Sequence, residues 1–87
     1  MTPENHENRL KRMKMRAWRR GIREMDLILG PYADTHIGDL EIRDLELFDQ
    51  LLKENDHDLM GWITGAKPVP VKYTEVVTAL SKHAETI

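Results

Sequence analysis

Residues 18–29, WRRGIREMDLIL, place a glycine between two stretches of helical periodicity. A glycine in a helix interior costs about 1 kcal/mol relative to alanine, so Gly21 predicts a break between two helices. The same stretch is crowded with charge, since three arginines, a glutamate and an aspartate lie between Arg19 and Asp26. A simple helix corner does not require so many charged side chains. The stretch therefore predicts both a corner and a surface on which another chain docks.

Arg20 and Glu24 are four residues apart, which is the spacing of an ion pair on a helix surface. The arginine comes first, which is the less favourable order, and such a pair contributes only about 0.2–0.5 kcal/mol. That contribution does not offset a glycine inside a helix. We therefore expect Arg20 and Glu24 to face outward, where the guanidinium groups of Arg20 and Arg23 can donate to carboxylates or carbonyls of a partner.

Apolar spacing on both sides of this stretch predicts an all-α fold. Asn5 or Thr2 is expected to cap the first helix, with Pro3 in its first turn, and Asn55 or Asp56 to cap the fourth. Gly30-Pro31 is expected to end or to kink the second helix. The predicted helices span about 5–19, 22–29 with a continuation over 32–38, 41–54, 59–64 and 72–84. Together they predict one domain over residues 1–87, a compact bundle of about five short helices with Trp62 in its core.

The net charge of −2 conceals a segregation along the chain. Residues 1–23 carry a balance of +6 and residues 24–58 a balance of −9. Two interpretations fit this asymmetry: an oriented partner, or two segments that neutralise each other within the fold.

The sequence lacks the residues that several classes of function require. The chain contains no cysteine, which excludes disulfides, thiolate metal sites and cysteine nucleophiles. Its histidines show no metal-ligand spacing, and Asp56-His57-Asp58 is interpreted as a helix N-terminus rather than a ligand cluster. No nucleophile has an adjacent base, so the protein is not expected to be an enzyme. No apolar run approaches a membrane span, and the N-terminus lacks the apolar stretch of a signal peptide, so we expect a cytoplasmic protein without membrane insertion.

The basic segment from Arg9 to Arg23 leaves a nucleic-acid-binding regulator as an alternative. Its eight cations are able to neutralise phosphates. Two features oppose this interpretation, because the aromatic residues are not interleaved with the cations and the next segment is acidic. Nucleic acid is therefore not expected to be a partner.

The motif RGIRE at residues 20–24 closely resembles the Arg-Gly-x-x-Glu motif of the succinate dehydrogenase assembly factor family. The similarity also includes RAW at 16–18, EMDL at 24–27 and Asp58-Leu59 followed by Trp62, and it extends from residue 9 to about residue 80. Met25 stands where the family more often has leucine, and His57 where it often has proline. Both departures affect packing or capping rather than the motif.

This resemblance implies a compact five-helix domain that binds the flavoprotein subunit of succinate dehydrogenase, or of fumarate reductase. It implies that the protein promotes covalent attachment of FAD to a histidine of that subunit. We expect the chain itself to bind no cofactor stably and to be a monomer. An older description of some members as antitoxins of a toxin–antitoxin pair is the alternative. Arg20, Gly21 and Glu24 match the motif, while Trp18 and Asp26 match flanking positions, with Trp18 either in the core or at the interface. The predicted partner-binding residues are Arg16, Trp18, Arg19, Arg20, Gly21, Ile22, Arg23, Glu24 and Asp26.

Overall fold

Five α-helices and two 3₁₀ turns make up residues 4–85, the part of the chain that this computed structural model describes. That part contains no β-strand, and the predicted all-α fold is confirmed. The helices are α1 (His6–Ala17), α2 (Arg23–His36), α3 (Ile42–Leu51), α4 (Asp56–Thr64) and α5 (Thr74–Glu85), with 3₁₀ turns at Ile37–Asp39 and Val71–Tyr73.

The helix ends follow local signals in the sequence. The Asn5 side chain accepts a hydrogen bond from the backbone N–H of Asn8 at 2.7 Å, and Asn55 accepts one from Asp58 at 2.8 Å. Gly65 ends α4 in the left-handed conformation with φ +83°. These two asparagine caps are confirmed, whereas Thr2 and Pro3 lie outside the described residues.

Helix α2 runs through Pro31 to His36, so the proline does not end it. Pro31 has no N–H for the carbonyl of Leu27, which costs the helix one internal hydrogen bond. The next turn buries Tyr32 and Ala33, and burial of this apolar surface offsets that loss. Other helix boundaries differ from the predicted ones by two or three residues. Helix α1 ends at Ala17, α3 ends at Leu51, and α4 begins at Asp56.

The core lies where α5 packs against α2, α3 and α4, while α1 packs against α2. Trp62 belongs to this core, as predicted, and its ring centroid lies 5.5 Å from that of Tyr73. Burial, together with the nearby carboxylate of Glu54, raises the pKa of Tyr73 to about 12. The buried apolar residues are Met13, Ala17, Met25, Leu29, Tyr32, Ala33, Ile37, Leu45, Phe48, Leu51, Leu52, Leu59, Trp62, Tyr73, Val77 and Leu80.

Ion pairs join α1 to α3 on one side of this core. Asp49 accepts two bonds from Arg12, at 2.7 and 2.9 Å, and a third from Arg9 at 3.2 Å. The Arg12 guanidinium, against the opposing effect of burial, holds the pKa of Asp49 below its ordinary value. Arg9 also reaches Glu46, and Arg12 reaches Glu4. The basic and acidic segments therefore neutralise each other in part, as the second interpretation of the charge pattern expects.

No helix within residues 4–85 combines the length and the apolar character that crossing a membrane requires.

Candidate partner-binding site

The corner loop, residues 18–22, connects α1 to α2. Trp18 ends α1 in a helical conformation, and Ile22 precedes α2 in an extended one. Between them Gly21 has φ +96°, a left-handed conformation that costs other residues about 1–2 kcal/mol. The predicted break at Gly21 is confirmed, and the glycine is required by the backbone of the corner.

Arg20 points into the molecule, where its side chain is only 10% exposed. Its Nε donates to Asp56 at 2.9 Å, and its two terminal nitrogens donate to the backbone carbonyls of Leu52 and Glu54. These carbonyls follow the end of α3, where no intrahelical donor is present. The expectation that Arg20 faces outward is therefore wrong, because the turn between α3 and α4 offers it three acceptors.

Asp26 fixes the backbone of the corner loop from the other side. Its Oδ1 accepts a hydrogen bond from the backbone N–H of Arg20 at 2.7 Å. Ile22 is half-buried and packs against the core. Arg20, Ile22 and Asp26 thus hold the loop in shape rather than presenting a surface. Asp56 was missed by sequence reasoning, because no local pattern relates it to an arginine 36 residues earlier.

Trp18 lies on the surface and is held in one orientation. Its ring covers Gly30, where an added Cβ would lie 2.3 Å from the ring atom Cδ2. Its Nε1 donates to Asp34 at 3.1 Å, and the residue remains 41% exposed. Trp18 therefore does not lie in the core, and its place at a partner interface stays a prediction. Sequence reasoning missed Gly30 and Asp34, although a glycine inside a helix is itself a signal of close approach by another group.

The remaining predicted residues are exposed, but they do not form one face. Arg19, Gly21, Arg23 and Glu24 surround the tip of the corner loop. Arg16 is exposed on α1, two residues before Trp18, and helical geometry separates the two directions by about 160°. Arg16 thus lies on a different flank of α1 from Trp18.

Part of the basic segment is already occupied by intramolecular partners. Arg9, Arg12 and Arg20 pair with acidic side chains as described above. Within residues 4–85, no ion pair is formed by Lys14, Arg16, Arg19 or Arg23. Fewer cations are therefore available to a phosphate backbone than the sequence suggests, while Arg19 and Arg23 stay available to a smaller anionic surface.

The chemistry of the site is that of binding. Ile22 has no side-chain acceptor for the amides of Arg23 and Glu24, whereas the Met25 amide donates to the Ile22 carbonyl at 3.0 Å. Those two amides and the arginine side chains at 19 and 23 are suited to acceptors on a partner. Across the described residues, no group of three or more histidine, aspartate or glutamate side chains is placed to hold a metal ion. Asp56 and Asp58 lie in the first turn of α4, as interpreted from the sequence, where Arg20 and Lys67 pair with them.

A family model and several curated proteins match this chain over most of its length. A family model described as "Flavinator of succinate dehydrogenase" matches residues 11–84. "Succinate dehydrogenase assembly factor 2, mitochondrial" of Aedes aegypti is 34% identical over 73 residues, covering 82% of this chain and 45% of the relative. The protein of the same name from Schizosaccharomyces pombe is 34% identical over 85 residues, covering 95% of this chain and 61% of the relative. The chain spans about half the length of the curated relatives it matches.

The matched range contains the corner loop and all of the groups that hold it. It also contains RGIRE, the motif on which the resemblance rests. The chain belongs to the family of succinate dehydrogenase flavinators.

Proposed function

We propose that this protein is an assembly factor that binds the flavoprotein subunit of succinate dehydrogenase, or of fumarate reductase, and promotes covalent attachment of FAD to it. The family match supports the role in succinate dehydrogenase assembly. The observation that carries the proposal is the exposed corner at Gly21, where φ is +96° and the loop is fixed from below by Arg20. Such a corner presents backbone that a partner chain is able to approach closely.

The contacts beneath the corner loop favour binding because they order it in advance. Arg20 makes three side-chain bonds, and its own N–H is held by Asp26. A loop that is already ordered loses little conformational entropy when a partner docks on it. Arg19 and Arg23 then supply donors, and Glu24 supplies an acceptor, around a glycine without a side chain.

The proposed role is that of a helper that positions its client rather than that of an enzyme. Bond formation is the chemistry of the flavin and the flavoprotein, and holding the reacting groups in a competent arrangement is what a bound partner adds. The cytoplasmic location and the monomeric state expected from the sequence stay predictions. The relatives compared above carry mitochondrial names.

The test compares Gly21→Arg with Gly65→Arg. Both glycines are exposed and have positive φ, +96° and +83°, so both substitutions carry comparable backbone strain of about 1–2 kcal/mol. Only Gly21 lies in the corner loop, where an added Cβ would make an ordinary contact of 3.8 Å with Oδ2 of Asp56. Gly65 ends α4, and beyond its chain neighbours an added Cβ there would meet no atom within 4 Å. Any difference between the variants is thus a property of the corner and not of strain.

Each variant is expressed in cells lacking the native factor, and covalent flavin in the flavoprotein subunit is measured by in-gel fluorescence. We expect Gly21→Arg to abolish covalent flavin and co-purification, and Gly65→Arg to retain both. Normal covalent flavin with Gly21→Arg, or an equal loss with the two variants, would contradict the proposed surface.

A further inference from the structure

Large apolar side chains are unevenly exposed on this protein. Within residues 4–85 the exposed ones are Met15, Trp18, Leu27, Ile42 and Val71. Met15, on α1, is 55% exposed, and Leu27, on α2, is 44% exposed. The corner loop connects these two helices. Exposure of a single apolar residue is ordinary, whereas a contiguous group marks an interaction site.

Met15, Trp18 and Leu27 are contiguous through helical geometry and one observed contact. Met15 precedes Trp18 by three residues, so the two lie one turn apart on the same side of α1. The Trp18 ring covers Gly30 of α2. Leu27 precedes Gly30 by three residues, which places it one turn away on that side of α2. Helical spacing and the Trp18–Gly30 contact thus place the three side chains in sequence across α1 and α2 beside the corner loop, and we call them the apolar strip.

Trp18 has the properties of an anchor within this strip. The ring is fixed by Gly30 beneath it and by the bond from Nε1 to Asp34 at 3.1 Å, while 41% of the residue faces solvent. A rigid aromatic side chain with an exposed face contributes contact area at a small entropic cost, which is why tryptophan is enriched among the residues that dominate interfaces.

Cations border the apolar strip. Lys14 precedes Trp18 by four residues, and Arg23 precedes Leu27 by four, so each lies one turn from a member of the strip. Arg19 follows Trp18 directly in the corner loop. None of these three cations forms an ion pair within the described residues. Two acids also lie beside the strip, since Asp34 accepts the Trp18 bond and the exposed Glu24 precedes Leu27 by three residues.

We propose that the apolar strip is the anchor of the complex with the flavoprotein subunit, and that the surface it meets is apolar at its centre and acidic at its rim. This inference rests on the proposed function and extends the binding surface from the corner loop to Met15 and Leu27. The apolar strip supplies affinity through buried area, and the bordering cations supply orientation and salt dependence.

The test measures the dissociation constant for the purified flavoprotein subunit by calorimetry at low and high salt. Leu27→Ser and Met15→Ser change the strip, and Ile42→Ser is the matched control. Ile42 is 64% exposed at the start of α3, the end opposite the carbonyls that hold Arg20. We expect each strip variant to weaken binding by roughly tenfold at both salt concentrations, as loss of partial apolar burial requires. We expect Ile42→Ser to bind like wild type, and Arg23→Gln to weaken binding mainly at low salt.

If Leu27→Ser and Met15→Ser bind the flavoprotein subunit with the dissociation constant of wild type, this inference is overturned and the proposed function stands. The inference is also overturned if Ile42→Ser weakens binding to the flavoprotein subunit as much as the strip variants do. Circular dichroism of each variant separates loss of binding from loss of fold. If wild type does not bind the flavoprotein but does bind a DNA duplex in a salt-dependent manner, the inference and the proposed function both fail, and the nucleic-acid alternative replaces them.

Discussion

Replacing Arg20 with alanine tests whether the corner loop is held from below. The substitution removes the bond to Asp56 at 2.9 Å, the bond to the Glu54 carbonyl at 2.6 Å, and the bond to the Leu52 carbonyl. It also leaves the Asp56 carboxylate, which is mostly buried, without its cation. Sequence reasoning from the i, i+4 spacing, by contrast, treats Arg20 as an exposed side chain.

The size of the effect follows from these contacts. A hydrogen bond to a charged group contributes about 1.5–3 kcal/mol, but three bonds from one guanidinium are not additive, and water entering the space solvates the two carbonyls. We therefore expect the free energy of unfolding to fall by about 2–4 kcal/mol. For a domain of this size, with a total stability of roughly 5–10 kcal/mol, this corresponds to a decrease in Tm of about 10–25 °C.

Urea denaturation followed by circular dichroism and tryptophan fluorescence measures this loss. Arg19→Ala is the matched control, because Arg19 is the adjacent arginine, is exposed, and forms no ion pair within the described residues. Its expected effect is below about 0.5 kcal/mol. A double-mutant cycle of Arg20→Ala with Asp56→Asn then isolates the pair itself, for which we expect a coupling energy above about 1 kcal/mol.

An effect of Arg20→Ala no larger than that of Arg19→Ala would refute the reasoning. It would mean that Arg20 faces solvent, as the sequence interpretation held, and that the corner loop is not anchored to the turn between α3 and α4. Arg20→Lys refines the test, because lysine keeps the charge but has no planar fork, so we expect it to recover only part of the lost stability.

Two further substitutions test other contacts in the same way. We expect Gly30→Ala to push the Trp18 ring off α2, because the new Cβ would lie 2.3 Å from it, and to shift tryptophan emission to longer wavelength; an unchanged spectrum would place the ring elsewhere. We expect Asp49→Asn to lower the free energy of unfolding at pH 7 by about 1–2 kcal/mol. Because Arg12 lowers the pKa of Asp49 in the folded state, this stabilisation is present above the carboxyl's unfolded pKa and is lost as the pH falls through the lowered folded value. The difference between wild type and Asp49→Asn should therefore shrink below about pH 4, whereas the exposed control Glu46→Gln should change stability little, and a difference constant from neutral to acid pH would contradict this assignment.

The fold was predictable because its determinants are local. Asn5 and Asn55 cap the N-termini of α1 and α4, and Gly65 ends α4, through hydrogen bonds and a φ angle that involve only a few neighbouring residues. The apolar spacing within each helix is likewise a property of short segments. Pro31 shows the limit of local rules, since burial of the turn that follows it carries α2 further than the proline alone would allow.

The support of the site was not predictable in the same way. Arg20 meets Asp56 across 36 residues of sequence, and Trp18 meets Asp34 across 16. Both contacts exist because whole helices pack side by side, and spacing along one helix carries no information about them. Helical spacing offered Glu24 as the partner of Arg20, but Arg20 precedes α2 and is not in that helix, so the spacing rule does not apply.

Under the proposed function, stability and binding depend on the same arginine, because Arg20 holds the corner loop that the partner would contact. Loss of Arg20 frees the corner loop. The free energy of binding is then reduced by the conformational entropy lost when the loop becomes ordered, in addition to the effect of the weakened fold. Gly21→Arg instead removes none of the atoms in those bonds, and its added Cβ would lie at ordinary contact distance, 3.8 Å, from Oδ2 of Asp56, so we expect it mainly to obstruct the surface above them. Both changes are expected to reduce covalent flavin in the partner, but Arg20→Ala should lower Tm about twice as much as the backbone strain of Gly21→Arg does. The two measurements together therefore distinguish a residue that shapes the surface from one that forms it.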